Sequence, residues 1–283
     1  MRYVLAFINL LLYSNLWIAC AAVAMAAQTQ FLLTGKVQPT PLLAFIFFAT
    51  LSLYAMHRVI GLEKVRPFQS HGRYLLISRF RQPIAWYAVI AAAGAAFFFF
   101  QLPFSLQVAA VLPSLISLAY VLPFFRGRRL RDLNYIKIFL IAIAWSWITV
   151  YLPALELGLS RNIPMMAMVL ERALFVFALT LPFDIRDLEV DRFTGVRTLP
   201  SMLGARAVKW LAFATLLAMM ALAGLNYHID VYNTGQFLGL ALSAAITFAL
   251  TTVAGRMQHD YFYTGLLDGM MIVQFVLVWV LGK

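Results

Sequence analysis

Nine stretches of this chain are apolar and long enough to cross a lipid bilayer, and that pattern leaves few folds open. They lie near 4–26, 40–60, 83–101, 104–124, 136–153, 165–183, 208–226, 235–254 and 262–281, each close to the ~20 residues that span a ~30 Å hydrocarbon core. Inside lipid a backbone must satisfy its own hydrogen bonds, which selects helices or closed barrels. Runs of this length select helices. Hydrophobic residues make up 63% of the 283 and charged residues only 12%, too few to cover a water-exposed surface. The sequence therefore predicts an all-α polytopic membrane protein, with nine transmembrane helices in one bundle and one domain over 1–283. A short turn around Leu102 and Pro103 makes the third and fourth spans a tight hairpin. The single cysteine, Cys20, excludes an intrachain disulfide and any cysteine-cluster metal site.

The basic residues set the orientation. With the N-terminus inside, 18 of the 22 Lys and Arg fall on the cytoplasmic side. The opposite side holds Lys36, Arg161 and Lys283, while Arg172 lies within the sixth span. The positive-inside rule then predicts an N-in, C-out topology. The basic loops over 61–83, 126–137 and 184–209 are longer and more clustered than orientation alone requires. At the N-terminus, Ala19–Gln28 carries small-residue patterns that resemble a signal-peptidase site. The long apolar stretch before it, broken by Asn9, Ser14 and Asn15, favours a retained first span. Asn15 is then expected near mid-membrane, facing the bundle interior.

Three aspartates, Asp184, Asp187 and Asp191, stand where the sixth span meets a basic loop. The chain has only 11 acidic residues, so three at i, i+3 and i+7 are conspicuous. On one continuous helix that spacing confines them to a ~60° arc. Carboxylates so close repel unless a cation sits among them, and hard oxygen donors suit Mg²⁺ completed by phosphate oxygens. The plainer reading is a solvated, salt-bridged helix end. Arg186 projects away from that arc and is expected to pair with Glu189, whereas Arg192 lies near Asp191 and can reach phosphate. Gly195 and Pro200 then break the helix.

Two further rims carry polar residues. After the fourth span, Tyr120 precedes Arg126, Arg128, Arg129 and Arg131, and Lys137 follows one turn into the next helix. Cations beside an acidic metal site suit a diphosphate, and a lysine at the edge of a span calls for a partner or ligand. At the end of the second span, Tyr54, His57, Arg58 and Gly61 make a polar stripe, followed by Lys64 and Arg66. His57 is a candidate proton carrier, although a packed histidine is the commoner outcome. Asp268, two turns into the last span, needs a polar neighbour.

The order of these features resembles the UbiA-type membrane prenyltransferase superfamily, which has nine helices and catalytic loops after the second, fourth and sixth. DIRDLEVDRFTGVRTLPSMLG, from Asp184 to Gly204, is similar to that family's second aspartate-rich motif. YVLPFFRGRRLRDLNYIKIF, with Trp145 and Trp147 beyond it, resembles its fourth-to-fifth connection. The resemblance implies Mg²⁺-assisted transfer of an isoprenoid chain from a polyprenyl diphosphate to an aromatic or lipid acceptor. By it, Asp184, Asp187 and Asp191 are the catalytic, metal-holding set. Tyr54, His57, Arg58, Lys64, Tyr120, Arg126, Lys137 and Arg192 are the candidate substrate-binding residues. The expected partners are the two substrates and membrane lipids, with no nucleic acid. The expected place is a bacterial inner (plasma) membrane, with the active face cytoplasmic.

One departure stands out. The family's first acidic motif, at the end of the second span, is replaced here by YAMHR, Tyr54–Arg58. A two-metal clamp needs carboxylates on both sides. Either one Mg²⁺ works with Arg58, Lys64 and Arg66 in place of the other, or the chain binds an isoprenoid lipid without turning it over. A transporter would show matched helix breaks at the midplane of two halves, and Pro153 and Pro182 sit near span ends instead.

Overall fold

A computed structural model describes residues 9, 11–62, 72–123, 129–159, 163–257 and 259–283. Among these residues nine helices are long and apolar enough to cross a membrane. They are α1 (Leu16–Thr34), α2 (Pro41–Gly61), α3 (Arg81–Phe99), α4 (Phe104–Val121), α5 (Lys137–Glu156), α6 (Ile163–Arg186), α7 (Leu199–His228), α8 (Thr234–Val253) and α9 (Tyr261–Leu281). The protein is thus an integral, multi-pass helical membrane protein.

Local chemistry sets the helix ends. Thr40 accepts a hydrogen bond from the Leu43 N–H, with Pro41 in the first turn of α2. Asn233 and Gln236 bond each other's backbone N–H at 2.9 and 2.8 Å, a capping box that starts α8. Only Phe100–Pro103 separate α3 from α4, as the hairpin reading expects. Gly204, at φ 78°, breaks α7 into a short leading turn and a long span.

The first span differs from its predicted place. It runs over Leu16–Thr34 rather than 4–26, because Asn15 adopts a left-handed conformation, φ 65° and ψ 10°, and restarts the helix. Asn15 is therefore at the end of α1, not mid-membrane, and its amide donates to the Tyr87 hydroxyl at 3.3 Å. Hydropathy missed the far end because Gln28, Thr29 and Gln30 look polar, yet all three are buried. Gln28 donates to Gln274 of α9 (3.3 Å), which donates to Ser243 of α8 (3.0 Å). Thr29 donates to the Thr149 carbonyl of α5 at 2.7 Å. A polar side chain in lipid needs such partners.

Neighbouring helices pack in a ring: α1 on α2, α2 on α3 and α4, α4 on α5, α5 on α6, α6 on α7, α7 on α8, and α8 on α9. Contact of α9 with α1 closes it. α1 also meets α5, so it runs through the middle of the bundle. α8 and α9 approach closely through glycine: a Cβ on Gly239 would lie 2.8 Å from the Val278 backbone. In the sixth span Arg172 and Glu171 are both buried, yet bonded: Arg172 donates to the Met25 carbonyl at 2.9 Å, and Tyr232 donates to Glu171 at 3.1 Å. The helix ends that matter for chemistry, those of α2, α4 and α6 and the starts of α5 and α9, gather at the other end of α6.

Candidate functional site

The sequence after α6 does not continue as one straight helix. α6 ends at Arg186, Asp187 takes φ −87° and ψ 6°, and a separate helix spans Leu188–Phe193. That helix is closed by Gly195 at φ +75°, with Gly195 N–H on the Arg192 carbonyl and Val196 N–H on the Asp191 carbonyl. This glycine-ended pattern satisfies the last carbonyls of the turn carrying Asp191. The next residues are pinned to the connection before α5. Arg197 N–H donates to Asn134 Oδ1 at 2.9 Å, and Tyr135 N–H donates to the Arg197 carbonyl at 2.9 Å. Two loops distant in sequence are thereby sewn together, and Lys137 is delivered to the aspartates.

Lys137 Nζ lies 2.8 Å from Asp184 Oδ1 and 2.8 Å from Asp191 Oδ2. All three side chains are nearly buried. Burial pushes the Asp191 carboxyl above the ordinary carboxylate range, while the Lys137 charge pulls it back. The third aspartate faces another cation. Arg186 grips Asp187 through Nε (2.7 Å) and Nη2 (3.1 Å), and its guanidinium lies 4.7 Å from the Tyr263 ring centre and 3.8 Å from Asp260. The expected Arg186–Glu189 pair is therefore replaced by Arg186–Asp187. The helix break at Asp187 removes the regular angular spacing on which that pairing relied, and Glu189 is exposed. The same break replaces the single-face arrangement of the triad with a Lys137-bridged pair and a separate Arg186-bound carboxylate.

These groups rim a cavity of about 580 Å³ that descends between α1, α2, α4 and α5. Tyr54, His57 and Arg58 line it from α2, Tyr120 from α4, and Lys137 from α5, so the structure assembles these five candidates with the three aspartates. Their roles within it differ. Arg58 donates to the Tyr13 and Leu12 carbonyls at 2.7 and 3.3 Å, so its guanidinium caps the chain before α1. The His57 and Tyr120 rings stand 6.2 Å apart. Arg192 is exposed and does not line the cavity. Lys64 and Arg126 lie outside the described residues.

Arg131 and Asp268, which the sequence offered as polar residues without a stated place in the substrate site, join the lining, and Asp260 is a lining residue the sequence reading did not single out. Arg131 sits 5.8 Å above the Tyr120 ring and, among the described residues, makes no ion pair. Its neighbour Arg129 is held by Asp132 at 2.9 Å. Asp260 opposes Arg186 from the start of α9. Asp268 lines both this cavity and a small side pocket of about 30 Å³ that it shares with Tyr54 and Trp145. Two helices carry π-type turns beside the cavity, Trp147–Tyr151 and Tyr261–Leu267. Such turns re-aim side chains at functional sites, and the second turns straight into Asp268.

The residues present fit a hard divalent ion in one way only. Among the described residues no group of three acidic, histidine or cysteine side chains is arranged to hold a metal. Asp184 and Asp191 each give one oxygen to Lys137, leaving one further oxygen apiece. Two carboxylates completed by ligand phosphates and water match the habit of Mg²⁺.

No protein-family model and no curated protein matches the chain. Solved structures do. A digeranylgeranylglyceryl phosphate synthase matches over 100% of this chain and 99% of its own, at 13% identity and a TM-score of 0.61. A UbiA homologue from Archaeoglobus fulgidus, bound to GPP and Mg²⁺, matches over 95% and 99%, at 13% identity and a TM-score of 0.64. A UbiA homologue from Aeropyrum pernix K1 covers 92% and 96%, at 15% identity and a TM-score of 0.65. Among the described residues, nine helices long and apolar enough to cross a membrane surround a charged-rimmed cavity and align end to end with those structures, which gives this chain the UbiA-type prenyltransferase fold.

Proposed function

We propose that the protein is an intramembrane prenyltransferase, moving an isoprenoid chain from a polyprenyl diphosphate to an aromatic or lipid acceptor. The observation that carries this reading is the cavity itself. It joins a rim of Lys137, Arg131 and three aspartates to an apolar interior lined by residues such as Ile46, Ala110 and Leu152. Measured by helix rise from Lys137 to Leu152, it runs roughly 22 Å into the bundle. An amphiphile with an anionic head and a long hydrocarbon tail fits that gradient. The fold's likeness to a structure bound to GPP and Mg²⁺ supports the same class of ligand. The proposed topology is N-in and C-out, which puts the rim on the cytoplasmic side of a bacterial inner membrane, and the single domain is 1–283.

In this mechanism Arg131 and the Lys137 ammonium bind the diphosphate oxygens, and the tail lies between α2, α4 and α5. Asp184 and Asp191 would hold Mg²⁺, which when bound would neutralise charge on the leaving group. As the allylic carbon–oxygen bond breaks, its electron pair leaves with diphosphate. The faces of Tyr54 and Trp145 stabilise the developing allylic cation. The acceptor forms the new bond to that carbon and gives its proton to a carboxylate oxygen of Asp268. Purified protein in lipid nanodiscs, given geranylgeranyl diphosphate, Mg²⁺ and a membrane lipid extract, is expected to release diphosphate, and Asp184→Asn to abolish release. Equal release by empty nanodiscs would refute catalysis.

A second reading draws on a specific observation. The α2 wall carries Tyr54, His57 and Arg58 rather than carboxylates, and Arg58 is committed to backbone carbonyls. A protein that binds isoprenoid lipid without turnover would show copurified or added prenyl diphosphate held intact in the same experiment.

A further inference from the structure

Three carboxylates at the rim are matched by two cations of the chain's own. Lys137 bridges Asp184 and Asp191 symmetrically, at 2.8 Å to each, with its side chain 9% exposed. Arg186 holds both oxygens of Asp187. Neither cation is a long surface side chain that happened to fold inward. Lys137 begins α5, two residues after a left-handed Tyr135, φ 65°, whose N–H is bonded to the loop that follows Asp191. Arg186 is sandwiched against the Tyr263 and Phe183 rings, at 4.7 and 5.2 Å. The backbone, not side-chain flexibility, puts these charges where they are.

We propose that Lys137 is a resident counter-cation of the aspartate pair, which keeps divalent metal off Asp184 and Asp191 until a diphosphate arrives. A metal ion alone would have to bind the remaining oxygens of two carboxylates that already hold an ammonium at 2.8 Å, and the two cations repel one another in that nearly buried place. A diphosphate changes the balance. The ammonium has three donors and can turn to the new phosphate oxygens, freeing carboxylate oxygens, while those same phosphates complete the metal's shell. Metal and diphosphate therefore bind as one unit. This order rests on reading the rim as a diphosphate site, whereas the exclusion of metal by Lys137 does not. It also gives the α2 wall a rationale: with a cation built into one side, the opposite side has less need of a second metal and its carboxylates.

The test uses Mn²⁺ as a spectroscopic probe on the full chain in nanodiscs, after EDTA treatment and dialysis. Electron paramagnetic resonance reads the free Mn²⁺. For the unmodified protein, Mn²⁺ alone is expected to stay free, and addition of geranylgeranyl thiolodiphosphate to bring about its binding. Lys137→Gln is expected to bind Mn²⁺ without the diphosphate analogue at least about tenfold more tightly than the unmodified protein, the scale on which a metal's neighbours shift its affinity. Equal Mn²⁺ binding by the two proteins without analogue would overturn the proposal. Should Lys137→Gln fail to fold, the unmodified protein decides alone, since tight binding of Mn²⁺ without analogue sinks the idea. A metal site gained in Lys137→Gln together with no analogue binding to either protein supports the resident cation and instead removes the prenyl diphosphate reading.

Discussion

Asp268 is the residue on which acceptor chemistry turns in the proposed mechanism. It lines the cavity beside Tyr54 and Trp145, below the charged rim rather than within it. Asp268→Asn is expected to lower prenyl transfer by about 10²–10⁴-fold, the usual worth of a positioned acid or base. Affinity for geranylgeranyl thiolodiphosphate should stay unchanged, as measured by isothermal titration. A parallel loss of affinity would reassign Asp268 to packing. At this scale the sequence was legible where a rare residue type clustered: four of the 11 acidic residues fall within eight positions, and three of them, Asp184, Asp187 and Asp191, marked the rim. Partners were not legible. Lys137 meets Asp191 across 54 positions, through a loop-to-loop hydrogen bond that no periodicity announces. Arg186 chose Asp187 because the helix broke at that residue.

Single helices follow rules that the sequence shows more openly. Eight of the nine spans fall close to their apolar runs, since lipid leaves a long hydrophobic segment no alternative to a helix. The exception, α1, is the most buried of these spans, and its Gln28, Thr29 and Gln30 read as an exit from the membrane when they are partners within it. Two substitutions test the element ends and crossings. Asn233→Ala removes the cap of α8 and should cost about 0.5–2 kcal/mol. Gly239→Val drives a side chain into the α9 backbone, and overpacking of this kind costs about 1–3 kcal/mol. Thermal unfolding in one detergent, followed by size-exclusion chromatography, measures both. A Gly239→Val protein as stable as the parent would mean that α8 and α9 separate readily.

For the bundle as a whole, cavity depth and orientation are the testable quantities. Ala110 on α4 is 1% exposed and lines the cavity about ten residues, roughly 15 Å, from Tyr120. Ala110→Phe should fill the deep end and shift preference toward shorter tails, read as the ratio of geranylgeranyl to geranyl diphosphate bound. An unchanged ratio would place the tail elsewhere. Orientation can be read with the lone cysteine removed. In a Cys20→Ser background, Lys36→Cys should react with a membrane-impermeant maleimide in intact cells, and Arg197→Cys only after permeabilisation; the reverse pattern inverts the topology.

The amide ladder from Gln28 through Gln274 to Ser243 sets a timetable for the chain's own synthesis. Gln28 and Gln274 stand 246 positions apart, so the first span leaves the ribosome long before its partner in the ninth exists. Until then a hydrogen-bonding side chain in the first helix has no protein acceptor of its own, and the membrane offers none. The first helix can pack on the second, fifth and sixth as they appear, but its last polar contact waits for the ninth.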